Sequence, residues 1–322
     1  MKVLFVSSGN KESFDIVPFI KVQGKSLQDK KIDVEYFSVK GKGIFGYLSN
    51  VKPLKRFVAN SKFDVIHAHF TLSGWVAVLS FPNIPIILSL MGTDAYGRVE
   101  NNNKKRFYLN YFTFLTLLIQ PFVKKIISKS PNIERFVWQK RKSYLLPNGV
   151  DTKEFYPVPG GCREKLGLDP KKKYLLFLGN TQDQRKNFRM IEEAKDRLDS
   201  MNIVVIAPYP IAHKLVFEYF NSVDVFVMCS FEEGSPNVVK EGMACNCKGV
   251  FTDVGDVRYL VDKVAGYEIC DFDPMDLIDK IEKVISIPKC HGRERIIELK
   301  LDLPMVADNL IGIYSDSIKK EE

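Results

Sequence analysis

The chain has 322 residues, about two domains' worth, and 45% of them are hydrophobic. Charged residues make up 27% and no low-complexity tract interrupts the sequence, which excludes a largely disordered chain. Residues 1–150 hold 23 Lys and Arg against nine Asp and Glu, a net +14, and the remainder is net −6; a basic half of this size attracts polyanions such as nucleic acid or an anionic membrane surface.

The first apolar run, residues 3–6 behind Lys2, stops at Ser7-Ser8-Gly9. It is too short for a signal-peptide core and predicts a first strand ending in a turn. Further strands are expected at 34–39, 64–69, 85–90 and 125–128. Short apolar strands separated by helical stretches imply a parallel sheet covered on both faces. Gly41-Lys42-Gly43-Ile44-Phe45-Gly46 matches GxGxxG. A dinucleotide site also needs an opening helix and an acid at the end of the next strand. Pro53 disturbs the helix and Asp64 precedes its strand, so the segment reads as a flexible basic loop entering a helix over 47–59. His67 and His69 share one face of their strand and are expected to be packed or hydrogen-bonded. Residues 107–119 form an apolar stretch behind Lys104-Lys105-Arg106 that ends before Pro121. This is short for a membrane span. It predicts a helix buried against the first sheet, with an interfacial helix as the alternative; Lys52, Lys55 and Arg56 add a second basic helix.

Pro147, Pro157, Pro159, Gly160 and Gly161 mark a boundary over 148–168. The pattern then restarts. Strands are expected at 174–178, 203–206, 224–228 and 249–252, with helices at 187–198, 236–245 and 274–285. A last helix over 305–319 places Val306, Leu310, Ile313, Tyr314 and Ile318 on one face. The fold class is α/β: two Rossmann-like, doubly wound parallel-sheet domains, 1–150 and 151–303, facing a cleft, with 304–322 a helix returning to the first. The six cysteines, Cys162, Cys229, Cys245, Cys247, Cys270 and Cys290, form no CxxC pair and read as reduced thiols, with no metal expected.

The chemistry concentrates in 224–244. A buried strand ends at Ser230, a turn carries Gly234, and a helix starts with Pro236 near its first position. A helix N-terminus at the carboxyl end of a parallel strand is an anion site. Glu233 stands before the helix and Glu241 inside it. Eight residues apart, they cannot both closely face one water, so their roles should differ: Glu241 toward ribose hydroxyls, Glu233 toward a sugar.

Ser230, Glu233, Gly234, Pro236 and Glu241 in this spacing resemble the EX7E signature of retaining, nucleotide-sugar-dependent glycosyltransferases of family 4, and the run through Asp256-Val257 resembles a bacterial subgroup building surface polysaccharides. The DVIHAH strand at 64–69, the PNGVD segment at 147–151, Arg293 and the Tyr314 helix agree, so the resemblance covers nearly the whole chain. It implies the GT-B fold and transfer of a hexose-type sugar to a glycan or lipid-linked acceptor, with no cofactor and no metal. Lys186, helped by Arg185, would meet the donor diphosphate. Gly234 and backbone at Ser235, Pro236, Asn237 and Val238 would hold phosphate. Glu241 would bind ribose and Glu233 the donor sugar, stabilising an oxocarbenium-like state. The chain departs from the family pattern in several places: the region between Lys186 and Glu218 is short, and Gly242 replaces the usual Ala in the Glu241 helix. Asn180 follows Gly179 where a basic residue is usual, Met91 replaces the His of His-Gly-x-Asp, and the Gly-Gly loop is reduced to Gly9, which still permits close backbone approach. Asp94 is left as the candidate to orient or deprotonate the acceptor. The expected partners are a nucleotide-sugar, the acceptor and an anionic inner-membrane face, in a cytoplasmic or peripheral protein. No aromatic-basic stacking motif suggests nucleic acid. The alternatives are a nucleotide-sugar epimerase on the same fold and a non-catalytic sugar-binding module.

Overall fold

The computed structural model describes residues 1–10, 15–97 and 111–319. They form two compact units, Met1–Asn148 with Leu303–Glu322, and Gly149–Asp302.

The first unit holds β1 (Lys2–Ser8), β2 (Asp33–Val39), β3 (Val65–His69), β4 (Ile86–Leu90), β5 (Lys125–Ser128) and β6 (Ser143–Leu145) in the order β2-β1-β3-β4-β5-β6. Every pairing is parallel. All five residues of β3 and of β4 are buried, as strands covered on both faces must be. The order reverses between β1 and β3, so the crevice for a ligand in such a sheet lies beyond their carboxyl ends. Gly9 sits there, its N–H donating to Val39 O at 2.9 Å; a Cβ on it would lie 1.7 Å from Ser38 Oγ. The last helix, Leu303–Ile318, packs on the helix Pro18–Asp29 and on β3. It buries Val306, Leu310, Ile313 and Tyr314. Ile318, the last residue of the helix, is exposed, unlike the expected face.

The second unit holds β7 (Lys173–Phe177), β8 (Ile203–Ile206), β9 (Val225–Met228), β10 (Gly249–Thr252) and β11 (Tyr267–Cys270), in the order β11-β10-β9-β7-β8. All pairings are parallel and the reversal falls between β7 and β9. All six cysteines are buried and free.

Several local expectations are revised. The helix over 47–59 is two helices, Gly43–Leu48 and Val51–Ala59. Pro53 lies in the first turn of the second, where a missing N–H costs nothing. The GxGxxG segment is a built turn, not a flexible loop. The Asn10 side chain bonds Gly41 N and O, each at 2.7 Å. Gly41 and Gly46 pack so closely that a Cβ on Gly46 would sit 2.5 Å from Gly41 C. Backbone contact between the two accounts for these glycines without a nucleotide. The helix over 187–198 is replaced by a 3-10 turn, Gln184–Lys186, and helices Arg189–Glu193 and Lys195–Ser200.

The apolar stretch at 107–119 is described from Tyr111; its first four residues and Lys104, Lys105 and Arg106 lie outside the described residues. The helix Tyr111–Ile119 buries Thr113, Thr116 and Ile119 and leaves Tyr111, Phe112, Phe114 and Leu118 exposed. Its polar threonines point inward because they have partners there. Thr116 Oγ1 donates to Asp94 O at 2.6 Å and lies 2.6 Å from Thr71 Oγ1. Among the described residues no helix is long and apolar enough to cross a membrane.

His67 and His69 are core residues. Their rings stand 4.2 Å apart. His67 bonds Tyr314 Oη and Ser89 Oγ, each at 2.7 Å. Burial, with the nearby Lys129 charge, holds both imidazoles well below the ordinary value of 6.5. They stay neutral in the folded chain, whereas in the unfolded chain each binds a proton as the pH falls through 6.5. Stability is therefore intact above that pH and lost below it, by about 1.4 kcal/mol per pH unit for each ring. His213 acts oppositely: its bond to the Glu241 carboxylate raises its value, so its contribution is full below 6.5 and fades as the pH rises through the raised value. Its side chain is 61% exposed and solvent screening weakens it, so the two buried rings decide the sign. The urea midpoint is expected to fall between pH 7.5 and 5.5, and His69→Phe to flatten that fall by roughly half. An unchanged slope in the variant would refute the assignment.

Candidate functional site

The second unit gathers its polar groups where the strand order reverses. After β7 the chain runs through Gly179 into the 3-10 turn Gln184–Lys186. Asp183 caps this turn, accepting from Arg185 N at 3.1 Å, and Asn187 closes it in the left-handed region at φ 53°. After β9 the chain reaches Ser230 and turns through Glu233, Gly234 and Ser235. The helix Asn237–Ala244 then starts with Pro236 as its N-cap, one residue later than expected. Phe231 N donates to Arg185 O at 2.8 Å, which ties the two turns together.

Lys186 Nζ donates to Glu233 Oε1 at 2.5 Å, with both side chains mostly covered. The pairing joins two residues 47 positions apart. It sits beside the N-terminus of the helix Asn237–Ala244, whose first N–H groups have no intrahelical acceptor and whose dipole favours an anion. One cation, one carboxylate and a row of backbone donors therefore share one end of the sheet. That set suits a ligand with a diphosphate and a hydroxylated ring. Glu241 is 9% exposed and its Oε1 lies 3.2 Å from His213 Nε2.

Arg185 lies beside the site but is engaged otherwise. Its Nη2 and Nε meet Asp183 at 2.6 and 3.2 Å, and this fork holds the Asp183 carboxyl below its usual range. Arg185 therefore braces its own turn rather than extending a free guanidinium. In the first unit, Asp94 is fully buried. Its Oδ1 accepts from Met91 N and Gly92 N, each at 2.9 Å, and its Oδ2 from Thr71 N at 3.0 Å. Burial raises its pKa against the pull of these bonds. The carboxylate clamps the β3 and β4 exits, and with its lone pairs committed it lacks the open approach a general base needs.

Four residues enter that spacing alone did not single out: Asp183, His213, Lys240 and Asp256. Ser235 Oγ lies 2.8 Å from Asp256 Oδ2 and 2.6 Å from Lys240 Nζ, and Lys240 Nζ lies 3.3 Å from Asp256 Oδ2. The signal for the last two was their charge within otherwise apolar surroundings, Lys240 behind Val238-Val239 and Asp256 beside Val254 and Val257.

Two family models match the chain. Residues 15–154 match Glycosyltransferase Family 4 and residues 171–286 match Glycosyl transferases group 1. Among relatives, a Bacillus subtilis protein named as a teichuronic acid biosynthesis glycosyltransferase, TuaC, is 26% identical over 62% of this chain; the match spans 56% of that relative's length. A Methanocaldococcus jannaschii glycosyltransferase, MJ1178, is 28% identical over 77% of this chain and 72% of its own. Among solved structures, sucrose-phosphate synthase from Thermosynechococcus elongatus superposes with a TM-score of 0.79 at 17% identity, covering 98% of both chains. Anabaena HepE in complex with UDP-glucose superposes at 0.73 with 14% identity, over 98% of this chain and 100% of its own. These likenesses, with two doubly wound parallel sheets, identify the GT-B fold, and the chain belongs to the glycosyltransferases, with a family 4 domain ahead of a group 1 domain.

Proposed function

We propose that this glycosyltransferase moves a hexose-type sugar, with retention of anomeric configuration, from a nucleotide-sugar to a glycan or lipid-linked acceptor in cell-surface polysaccharide synthesis. The observation that carries the donor side is the Lys186–Glu233 pair beside the N-terminus of the helix Asn237–Ala244. On this reading the donor diphosphate takes the backbone N–H groups of Ser235, Asn237 and Val238, with Gly234 allowing its approach, and displaces Glu233 from Lys186. The ammonium then neutralises the charge that develops on the leaving diphosphate. Glu233, released, faces the sugar ring and stabilises its oxocarbenium-like state, and Glu241 accepts the ribose hydroxyls. HepE in complex with UDP-glucose and the name of TuaC support a nucleotide-sugar donor and a polysaccharide product. The test is a thermal shift with free UDP, GDP and ADP. One of them at a hundredfold excess over its Kd is expected to add about 2.7 kcal/mol of stability. No shift with any of them would remove the donor site.

On the acceptor side, the exposed Tyr111, Phe114, Leu118, Phe122 and Trp138 lie in the net +14 half of the chain. Trp138 Nε1 donates to Leu117 O at 2.9 Å, the Phe122 ring lies 5.9 Å from Trp75 at a tilt, and Tyr111, Phe114 and Leu118 recur at helical spacing on the helix Tyr111–Ile119. Aromatic side chains beside basic residues suit the headgroup layer of an anionic membrane, where a lipid-linked acceptor resides. Flotation with liposomes containing anionic lipid is expected to carry the protein at low salt and to release it at high salt. Absence of flotation at low salt would exclude this surface.

A further inference from the structure

The turn 231–236 rests on an ion pair with no access to water. Lys240 and Asp256 both have side chains with 0% exposure, 3.3 Å apart. Ser235 Oγ joins them, 2.8 Å from Asp256 Oδ2 and 2.6 Å from Lys240 Nζ. Three separate elements meet in this bridge: the turn through Ser235, the helix Asn237–Ala244 through Lys240, and the segment between β10 and the helix Val257–Val261 through Asp256. Two more contacts press the same parts together. Gly255, at φ +61°, lets its segment approach so closely that a Cβ there would stand 2.8 Å from Gly234 O and 2.9 Å from Glu233 O. Thr252 Oγ1 donates to Ser230 O at 2.7 Å at the root of the turn.

A buried charge pair is an expensive way to stabilise a fold, because apolar residues of similar volume commonly do as well. What it adds is direction: charged hydrogen bonds are short and geometrically demanding. Here they converge on the hydroxyl of Ser235, in the turn directly before the N-cap Pro236 of the helix Asn237–Ala244. Resting on the donor-site reading above, we infer that Lys240 and Asp256 are positioning residues that hold the Glu233–Ser235 turn in its nucleotide-binding shape. They touch no substrate. They act through Ser235 and through the backbone of Glu233 and Gly234.

The test separates positioning from folding with Lys240→Met/Asp256→Leu, which replaces the ion pair by apolar side chains, and Ser235→Ala, which leaves the pair intact but cuts its link to the turn. Tm, amide hydrogen exchange of residues 233–238 in the unliganded protein, and affinity for whichever of free UDP, GDP or ADP the wild type binds are measured on each. The double variant is expected to melt close to wild type, yet to exchange these amides at least tenfold faster and bind nucleotide at least tenfold more weakly, with Ser235→Ala following in the same direction. Wild-type exchange and affinity in a double variant of wild-type Tm would overturn the inference. Should the wild type bind none of the nucleotides, the donor-site reading fails, and the inference stands or falls on exchange alone: unchanged protection of 233–238 overturns it.

Discussion

Lys186→Ala is expected to lower kcat/KM for sugar transfer by roughly 10²–10³-fold, the usual loss when a group aimed at developing charge is removed. Most of the loss should fall in kcat, since the ammonium is needed more as charge accumulates on the leaving diphosphate than in the ground state. Glu233→Ala should cost a similar factor, by removing the carboxylate opposite the forming oxocarbenium. The two side chains bond each other at 2.5 Å, so they act as a unit, and the double variant should lose little more than either single one. Steady-state kinetics with the true donor check both statements. Losses that multiply in the double variant would mean the two residues serve independent steps.

Lys240→Met alone should destabilise the protein by about 3–5 kcal/mol, because it strands a buried carboxylate. For a chain of this size that is a fall of roughly 10 °C in Tm. The contrast with the surface is the informative part. Arg189–Glu193 and Arg258–Asp253 are also ion pairs, at 2.7 and 2.9 Å, but their basic partners are mostly exposed, and breaking either should cost below about 1 kcal/mol. Denaturant titration of the three variants reads this directly. Equal, small losses for all three would mean that water reaches the Lys240–Asp256 pair.

Both sheets were visible in the sequence because parallel strands covered on two faces are unbroken apolar runs, as in Val3–Val6 of β1 or Val225–Met228 of β9. Strands β6 and β11 escaped for the converse reason. One is three residues long and mostly half-buried, and the other has Glu268 in its middle, so neither makes a run. The helix expected at 187–198 failed on backbone chemistry: Asn187 adopts the left-handed region and ends one turn before the next helix can begin. The helix expected to lie buried against the first sheet is buried on one side only, because in Tyr111–Ile119 Thr113 and Thr116 are buried while Phe114 and Leu118 are exposed, and hydrophobicity alone points the other way.

At the candidate site, spacing and resemblance singled out Glu233, Glu241 and Lys186, and Lys186 and Glu233 meet although 47 residues separate them. What could not be read was which charges were already spoken for. Arg185 is taken up by Asp183, two residues before it, and Asp94 by three backbone N–H groups; neither commitment leaves a mark on residue type. Lys240 and Asp256 lie on a helix and in a later segment, and only the return of β10 beside β9 brings them together.

The most direct measurement is nucleotide release from a panel of UDP-, GDP- and ADP-sugars, with wild type run beside Lys186→Ala and Glu233→Ala. One donor is expected to yield free nucleotide with the wild type and almost none with either variant. Turnover of a donor that survives both substitutions would contradict the site, and a donor interconverted with its nucleotide still attached would contradict transfer itself.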